Sequence, residues 1–307
     1  MGLLPSSIKL LIQLDKKYQF EGSVLSLGNQ EIWATYADLK DYFNRMGSKY
    51  NEAKVVPHTS YMFLNSPKLA ELAKDFVHAR VFFEMMGMNS YTDLDKFDSD
   101  KPILLHDMNL PVPDALHDNY SLILDGGTIE HVFDIRQVME NIVQVLKPGG
   151  CVVHISSYSI DHGFFGLSPC LFYDFYSANG FDDFTCYVLQ VDFRNILTTY
   201  RKENDCFEYT YGMSFENLLD STKQSLIFFA ARKVAQSNNI TIPVQGVYKK
   251  RIATGREVGT SGAQLPHGKQ ATNLRYSFAN VISRINIVRT LIKPKMGRKS
   301  SVVVNKI

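Results

Sequence analysis

The chain has 307 residues, of which 45% are hydrophobic, 21% charged and 12% aromatic, an ordinary globular composition that excludes a collagen-like, wholly disordered or disulfide-scaffold protein. The net charge of +2 conceals a split: residues 249–307 hold 13 Lys and Arg against one acid, Glu257, whereas residues 1–248 hold 20 basic and 30 acidic residues. An acidic body carrying a basic tail points to an anionic partner for the tail.

The opening residues are apolar but interrupted by Lys9, with no small-residue cleavage site. They read as a short helix and not as a secretion signal. A β-like run at 24–27 stops at Gly28. Helical patterns follow at 36–46 and 67–86, the second opened by Ser66 and Pro67 as cap and first helical position. Short strands are predicted at 90–95 and 103–105, and a third at 120–124, stopping at Asp125-Gly126-Gly127. Asp134 caps a helix to about Leu146, which Lys147-Pro148-Gly149-Gly150 breaks before a strand at 151–155.

A helix near 168–178 and a turn at Asn179-Gly180 precede two longer β stretches, 181–191 and 223–231. The residues between them read as a side excursion over the sheet. Strands alternating with helices imply parallel βαβ units and a sheet covered on both faces. Residues 249–273 are rich in Gly, Ser and Gln and read as a linker. Residues 274–292 regain a helical apolar face, edged by Arg275 and Arg284.

The four cysteines make no CxxC or Cys/His chelating spacing, and His58, His78, His106, His117, His154 and His267 share no ligand spacing, so no metal is expected. The cysteine usage fits a reducing, cytoplasmic setting. No apolar run reaches the ~20 residues that span a bilayer.

Open α/β sheets bind ligands outside the C-terminal ends of their strands. Those ends here offer Gly28, Asp95, then His106-Asp107-Met108-Asn109-Leu110-Pro111, then Asp125-Gly126-Gly127-Thr128-Ile129-Glu130-His131-Val132-Phe133. After the fifth strand come His154-Ile155-Ser156, Asp161-His162-Gly163-Phe164, Ser168-Pro169, Phe172-Tyr173 and Asn179-Gly180-Phe181. This ordered set, with Leu146-Lys147-Pro148-Gly149-Gly150, resembles the class I S-adenosylmethionine-dependent methyltransferases, specifically the bacterial type 11-like domain proteins. The resemblance covers roughly residues 20–248, and the domain is taken as 1–248.

The resemblance implies a Rossmann-like, doubly wound, seven-stranded and mostly parallel sheet, its last strand antiparallel and inserted between the fifth and sixth. It implies S-adenosylmethionine as cofactor, with Gly28 against the methionine moiety, Asp95 on the ribose, Asp107 and Met108 flanking the adenine, and Asp125 and Gly126 near the sulfonium. It further implies methyl transfer to a small-molecule or glycan acceptor, oxygen being favoured. His162 and His131, in strand-end loops, are the candidate bases for a hydroxyl acceptor. For His131 the plainer reading, a loop-orienting residue, is preferred; for His162 the two readings stand level. The aromatics Phe172, Phe175 and Tyr176 fall at helical spacing and read as core.

The sequence departs from the family in its first motif. Ser26-Leu27-Gly28-Asn29-Gln30-Glu31 has one glycine and lacks the acid that anchors the cofactor's ammonium. A catalytically silent domain of the same fold is therefore the alternative. A second rival is an adaptor acting through the tail. Residues 274–292 could lie on an anionic membrane surface, dock on the body or pair with a second copy. Nucleic-acid binding is disfavoured, because Tyr276 and Phe278 are the tail's only aromatics beyond Tyr248 at its border.

Overall fold

The computed structural model describes residues 2–58, 67–159, 162–193, 204–213, 219–235, 239–246, 248 and 249. Past Lys249, the predicted linker, the amphipathic segment 274–292 and the rest of the tail lie outside the described residues. So do the Ser66 cap and Asp161.

The chain starts with helix α1 (Pro5–Tyr18), then strands β1 (Ser23–Leu27) and β2 (Glu31–Thr35) and helix α2 (Tyr36–Arg45). Next come α3 (Pro67–Ala73), β3 (Phe76–His78), α4 (Ala79–Met85), β4 (Ser90–Asp95) and β5 (Leu104–Leu105). The second half runs β6 (Tyr120–Asp125), α5 (Ile135–Val145), β7 (Leu146–Tyr158), α6 (Pro169–Ala178), β8 (Phe181–Val191), β9 (Asp205–Glu208) and β10 (Gln224–Lys233).

Eight strands form one sheet in the order β5-β4-β1-β6-β7-β10-β8-β9. The pairs from β5 to β7 are parallel, and β10 is antiparallel to both β7 and β8. This is the strand order the resemblance implies, with β10 inserted between β7 and β8. The count is eight and not seven because β9 adds an edge by pairing antiparallel with β8. The insert between β8 and β10 thus extends the sheet, where an excursion over its face was expected.

Side chains alternate between the faces, as the pleat requires. Val24, Leu122, Leu124, Val153 and Phe228 pack with α1, α2 and α4 on one side. Leu25, Leu27, Ile123, Val152 and Phe229 pack with α5 and α6 on the other. Every residue of β6 is buried, Ser121 and Asp125 included, as befits a central strand covered on both faces. The α5 cap is as expected, with the Asp134 carboxylate accepting from Gln137 N. The far end of α5 is closed by buried Lys233, whose Nζ donates to the carbonyls of Val143 and Leu146, a favourable position for a cation. Phe172, Phe175 and Tyr176 lie in the core, as does Trp33. Among the described residues no helix is long and apolar enough to cross a membrane.

The expected helix over 67–86 is interrupted. Residues 76–78 leave the helix to form β3, pairing antiparallel with β2 in a separate two-stranded sheet. His78 then caps α4, its Nδ1 accepting from Arg80 N at 3.1 Å. Pairing to a strand distant in sequence overrides the local helical periodicity.

His58 bridges toward this small sheet, its N–H donating to Phe76 O at 3.0 Å. Burial, and then the nearby His78, push its imidazole down from 6.5 to about 4. The unfolded chain takes up this proton at the higher pH and the folded chain only at the lower, so stability at His58 is full above pH 6.5 and falls toward pH 4. Urea denaturation of His58→Gln across that window should show a flatter acid-side decline than wild type; parallel curves would reject the assignment.

Candidate active site

The C-terminal ends of β1, β4 and β6 converge on a cleft of about 440 Å³, lined by Leu27, Leu94, Asp95, Asp107, Met108, Thr128, His131, Phe133 and Phe164 among others. That volume is within the ~300–1,000 Å³ usual for small-molecule sites. Parallel pairing of β4, β1 and β6 sets these ends level, in the register Leu94–Leu27–Asp125.

Gly28 forms the turn after β1. Its φ of +78° is unsuited to a side chain, and a Cβ there would lie 2.9 Å from Thr128 Oγ1. Gly28 N donates to Leu94 O at 2.7 Å, tying the turn to β4. The Leu27 carbonyl accepts from both Gln30 Nε2 and Thr128 Oγ1, each at 2.6 Å. The turn is thus locked to the loop after β6.

Asp95 ends β4, half-buried, with Oδ1 accepting from Phe97 N at 3.1 Å. Its Oδ2 faces the Gly28 turn, 3.9 Å from where a Gly28 Cβ would stand. Asp107 pairs with Lys96 at 2.8 Å and accepts from the Asn109 backbone and side chain. Lys96, followed by those bonds, holds its carboxyl down to about 2. Met108 is buried and forms part of the wall.

Asp125 and Gly126 do not line the cleft. Asp125 is fully buried. Its Oδ1 accepts from Thr128 N and Ile129 N at 2.9 and 3.2 Å, and its Oδ2 accepts from His154 Nδ1 at 2.8 Å. His154 Nε2 in turn accepts from the Tyr176 hydroxyl at 2.6 Å. A buried carboxylate needs this many donors, and they hold it in the interior. Gly126 faces the Gln30 amide, which a Cβ at that position would strike.

His131 lines the cleft, and the loop after β7 brings His162 beside it, ring centroids 4.8 Å apart and edge to face. Burial, and then His162, push the His131 imidazole down. Behind them stands Glu130, fully buried. Its carboxylate accepts from Ser156 Oγ at 3.1 Å and Ser157 N at 3.2 Å, with His162 Nε2 at 3.9 Å. Burial, and then Asp125, push Glu130 up to about 7. Glu130 was missed as a site residue; the signal was an acid flanked by Ile129 and His131 in the segment that follows β6. Gln30 and Lys96 were missed as well, and nothing in their local sequence marks them.

No protein-family model and no curated protein matches the chain. Solved structures similar to it include an S-adenosylmethionine-dependent methyltransferase from Thermotoga maritima, at 15% identity and a TM-score of 0.34, covering 74% of this chain and 89% of that one. The YcgJ protein of Bacillus subtilis is similar at 12% identity and a TM-score of 0.34, covering 74% and 97%. The MccD protein is similar at 11% identity and a TM-score of 0.35, covering 76% and 100%. The fold reading rests on the strand order and not on these likenesses.

The Met108 wall depends on one buried amide. Asn141, on α5, donates from Nδ2 to the carbonyls of Met108 and Leu110 at 3.1 and 2.8 Å, and accepts from Val112 N at 3.1 Å. Asn141→Ala strips three backbone groups of their partner, at about 1–3 kcal/mol per group left unpaired in the interior. Thermal and urea unfolding should show a loss within that order, whereas an unchanged midpoint would mean that the wall holds without the amide.

Proposed function

We propose that residues 1–248 form a domain that transfers a methyl group from S-adenosylmethionine to a small-molecule or glycan acceptor, at oxygen. The observation that carries this reading is the pairing of a Gly28 turn with the Asp95 carboxylate at adjacent ends of a sheet in this strand order. Asp95 Oδ2 is directed toward the turn and suits two ribose hydroxyls. Leu94 and Met108 offer apolar surface for an adenine ring.

The usual acid is absent, and none of Asn29, Gln30, Glu31 and Asp125 is among the residues lining the cleft. Ser26 stands at the acid's position, buried, with its Oγ donating to Gly28 O at 2.8 Å. The cofactor's ammonium group would therefore be held without a carboxylate, and less tightly.

S-adenosylmethionine supplies a methyl already activated by its sulfonium. The protein's part is to align the acceptor, exclude water and take up the hydroxyl proton. His131 and His162 stand at the cleft rim for that last task. The exposed rings of Phe133 and Phe164, edge to face at 5.6 Å, give the acceptor an apolar ledge. The second reading, a silent domain of the same fold, is favoured by one observation, a serine, Ser26, at the position of the anchoring acid. For residues 274–292 docking on the body or on a second copy is the first reading and contact with an anionic membrane surface the second, the latter tested by liposome co-sedimentation of the full chain against one ending at Tyr248.

Calorimetry of the full-length protein with S-adenosylmethionine and S-adenosylhomocysteine separates enzyme from silent fold. Binding should be measurable, and Asp95→Ala should weaken it by about 10–100-fold, the value of a charge-assisted hydrogen bond of roughly 1.5–3 kcal/mol. No binding at millimolar ligand would sink the enzyme reading, and unchanged affinity in the variant would reject the ribose role of Asp95.

A further inference from the structure

We propose that Glu130, His131 and His162 form a binding site for one divalent first-row transition-metal ion at the rim of the cleft. Each residue offers one donor atom, and the three atoms lie within 4.8 Å of one another. Ligands to zinc at about 2.0–2.2 Å stand roughly 3.3 Å apart in a tetrahedron. The set therefore closes with a movement of little more than an ångström. His131, at the end of a single 3₁₀ turn, and His162, on the loop after β7, are both accessible and can supply it by side-chain rotation.

Glu130 is the fixed member. Ser156 Oγ donates to one of its carboxylate oxygens and Ser157 N to the other. Outer-shell donors of this type orient a ligating carboxylate. The loop carrying His162 is held against it by backbone contacts. Phe164 N donates to Glu130 O at 2.7 Å. Gly163, at φ +74°, comes so close that a Cβ would lie 2.6 Å from the same oxygen. These contacts specify the approach of residue 162 to residues 130 and 131, a convergence that their separation in sequence does not disclose.

Two imidazoles and one carboxylate suit zinc, cobalt, nickel or iron(II) and do not suit the all-oxygen preference of calcium or magnesium. Three protein ligands leave at least one coordination position open, the arrangement of sites where an ion meets water or substrate. On the methyl-transfer reading, that position faces the acceptor. The ion, in place of either imidazole acting as a free base, would then acidify an acceptor hydroxyl. This consequence rests on the methyl-transfer reading; the ion site itself does not.

The test is equilibrium dialysis of full-length, chelator-stripped protein against Co²⁺ and Zn²⁺ without S-adenosylmethionine, with the visible absorption of bound Co²⁺ as a second readout. The expected result is one ion per chain. His131→Ala and His162→Ala should each weaken binding by about 100-fold or more, since even outer-shell changes cost 10–100-fold, and both should abolish the Co²⁺ bands. His117→Ala, away from the set, should leave both readouts unchanged, and circular dichroism checks that each variant is folded. No uptake at millimolar metal, or one-to-one uptake that survives both histidine variants, would overturn the proposal. Neither result bears on whether the cleft binds S-adenosylmethionine.

Discussion

The site is organised by a buried carboxylate that must be satisfied. Asp125 ends a strand with no exposed residue, and its two oxygens gather donors from Thr128 N, Ile129 N and His154 Nδ1. Those bonds curl the segment after β6 into a tight turn. The turn directs Thr128 Oγ1 onto the Leu27 carbonyl and so joins the ends of β1 and β6. It also delivers Glu130 to the serines of β7 and His131 to the cleft. Loss of the Asp125 carboxylate would leave His154 Nδ1 without its acceptor in the interior, and would release the loop that carries Glu130 and His131.

The same carboxylate sets the electrostatics around it. A second acid, Glu130, lies in the same interior, and Asp125 adds to burial in pushing Glu130 upward. Two carboxylates near each other in a medium of low polarity resist ionising together. The bonds from Ser156 and Ser157 partly offset this. The rim therefore presents a carboxyl group titrating near neutrality beside two imidazoles, which is a proton-handling arrangement or a ligand set depending on what enters the cleft.

Much of the sheet was legible because its strands obey one rule. The middles of β6 and β10, Leu122–Leu124 and Leu226–Ala231, are apolar on both faces, since helices cover both, and Gly126 follows β6. Asp134 announced its helix as a cap, with Gln137 N as the donor it accepts from. The elements that escaped are those whose partners are remote. β2 and β3 exist because residues 31–35 and 76–78 pair with each other, and neither segment alternates polar and apolar residues. β9 is short and lies at an edge, where its Cys206 and Phe207 match Leu189 and Val188 of β8. Near the site, the strand-end positions of Gly28, Asp95, Asp107 and Met108 were readable, and of these Asp95, Asp107 and Met108 line the cleft. Whether Asp125 faces the cleft or the core was not readable, because that depends on His154, brought beside it by the β6–β7 register.

The amide at Gln30 has a physical reason in this interior. Gln30 is almost wholly buried, with its amide against Gly126 and its Nε2 bonded to Leu27 O. A carboxylate in that position could not donate to Leu27 O, so the clamp on the turn would be lost. It would also stand beside the residue that follows Asp125, adding a third acid to an interior where Asp125 and Glu130 already oppose each other. An amide avoids the repulsion and keeps the donor that locks the turn. Ser26, at the motif's acid position, is fully buried and donates from Oγ to Gly28 O, a second neutral clamp on the same turn: this sheet concentrates its acids behind the loop after β6, and the turn after β1 does its work with neutral groups.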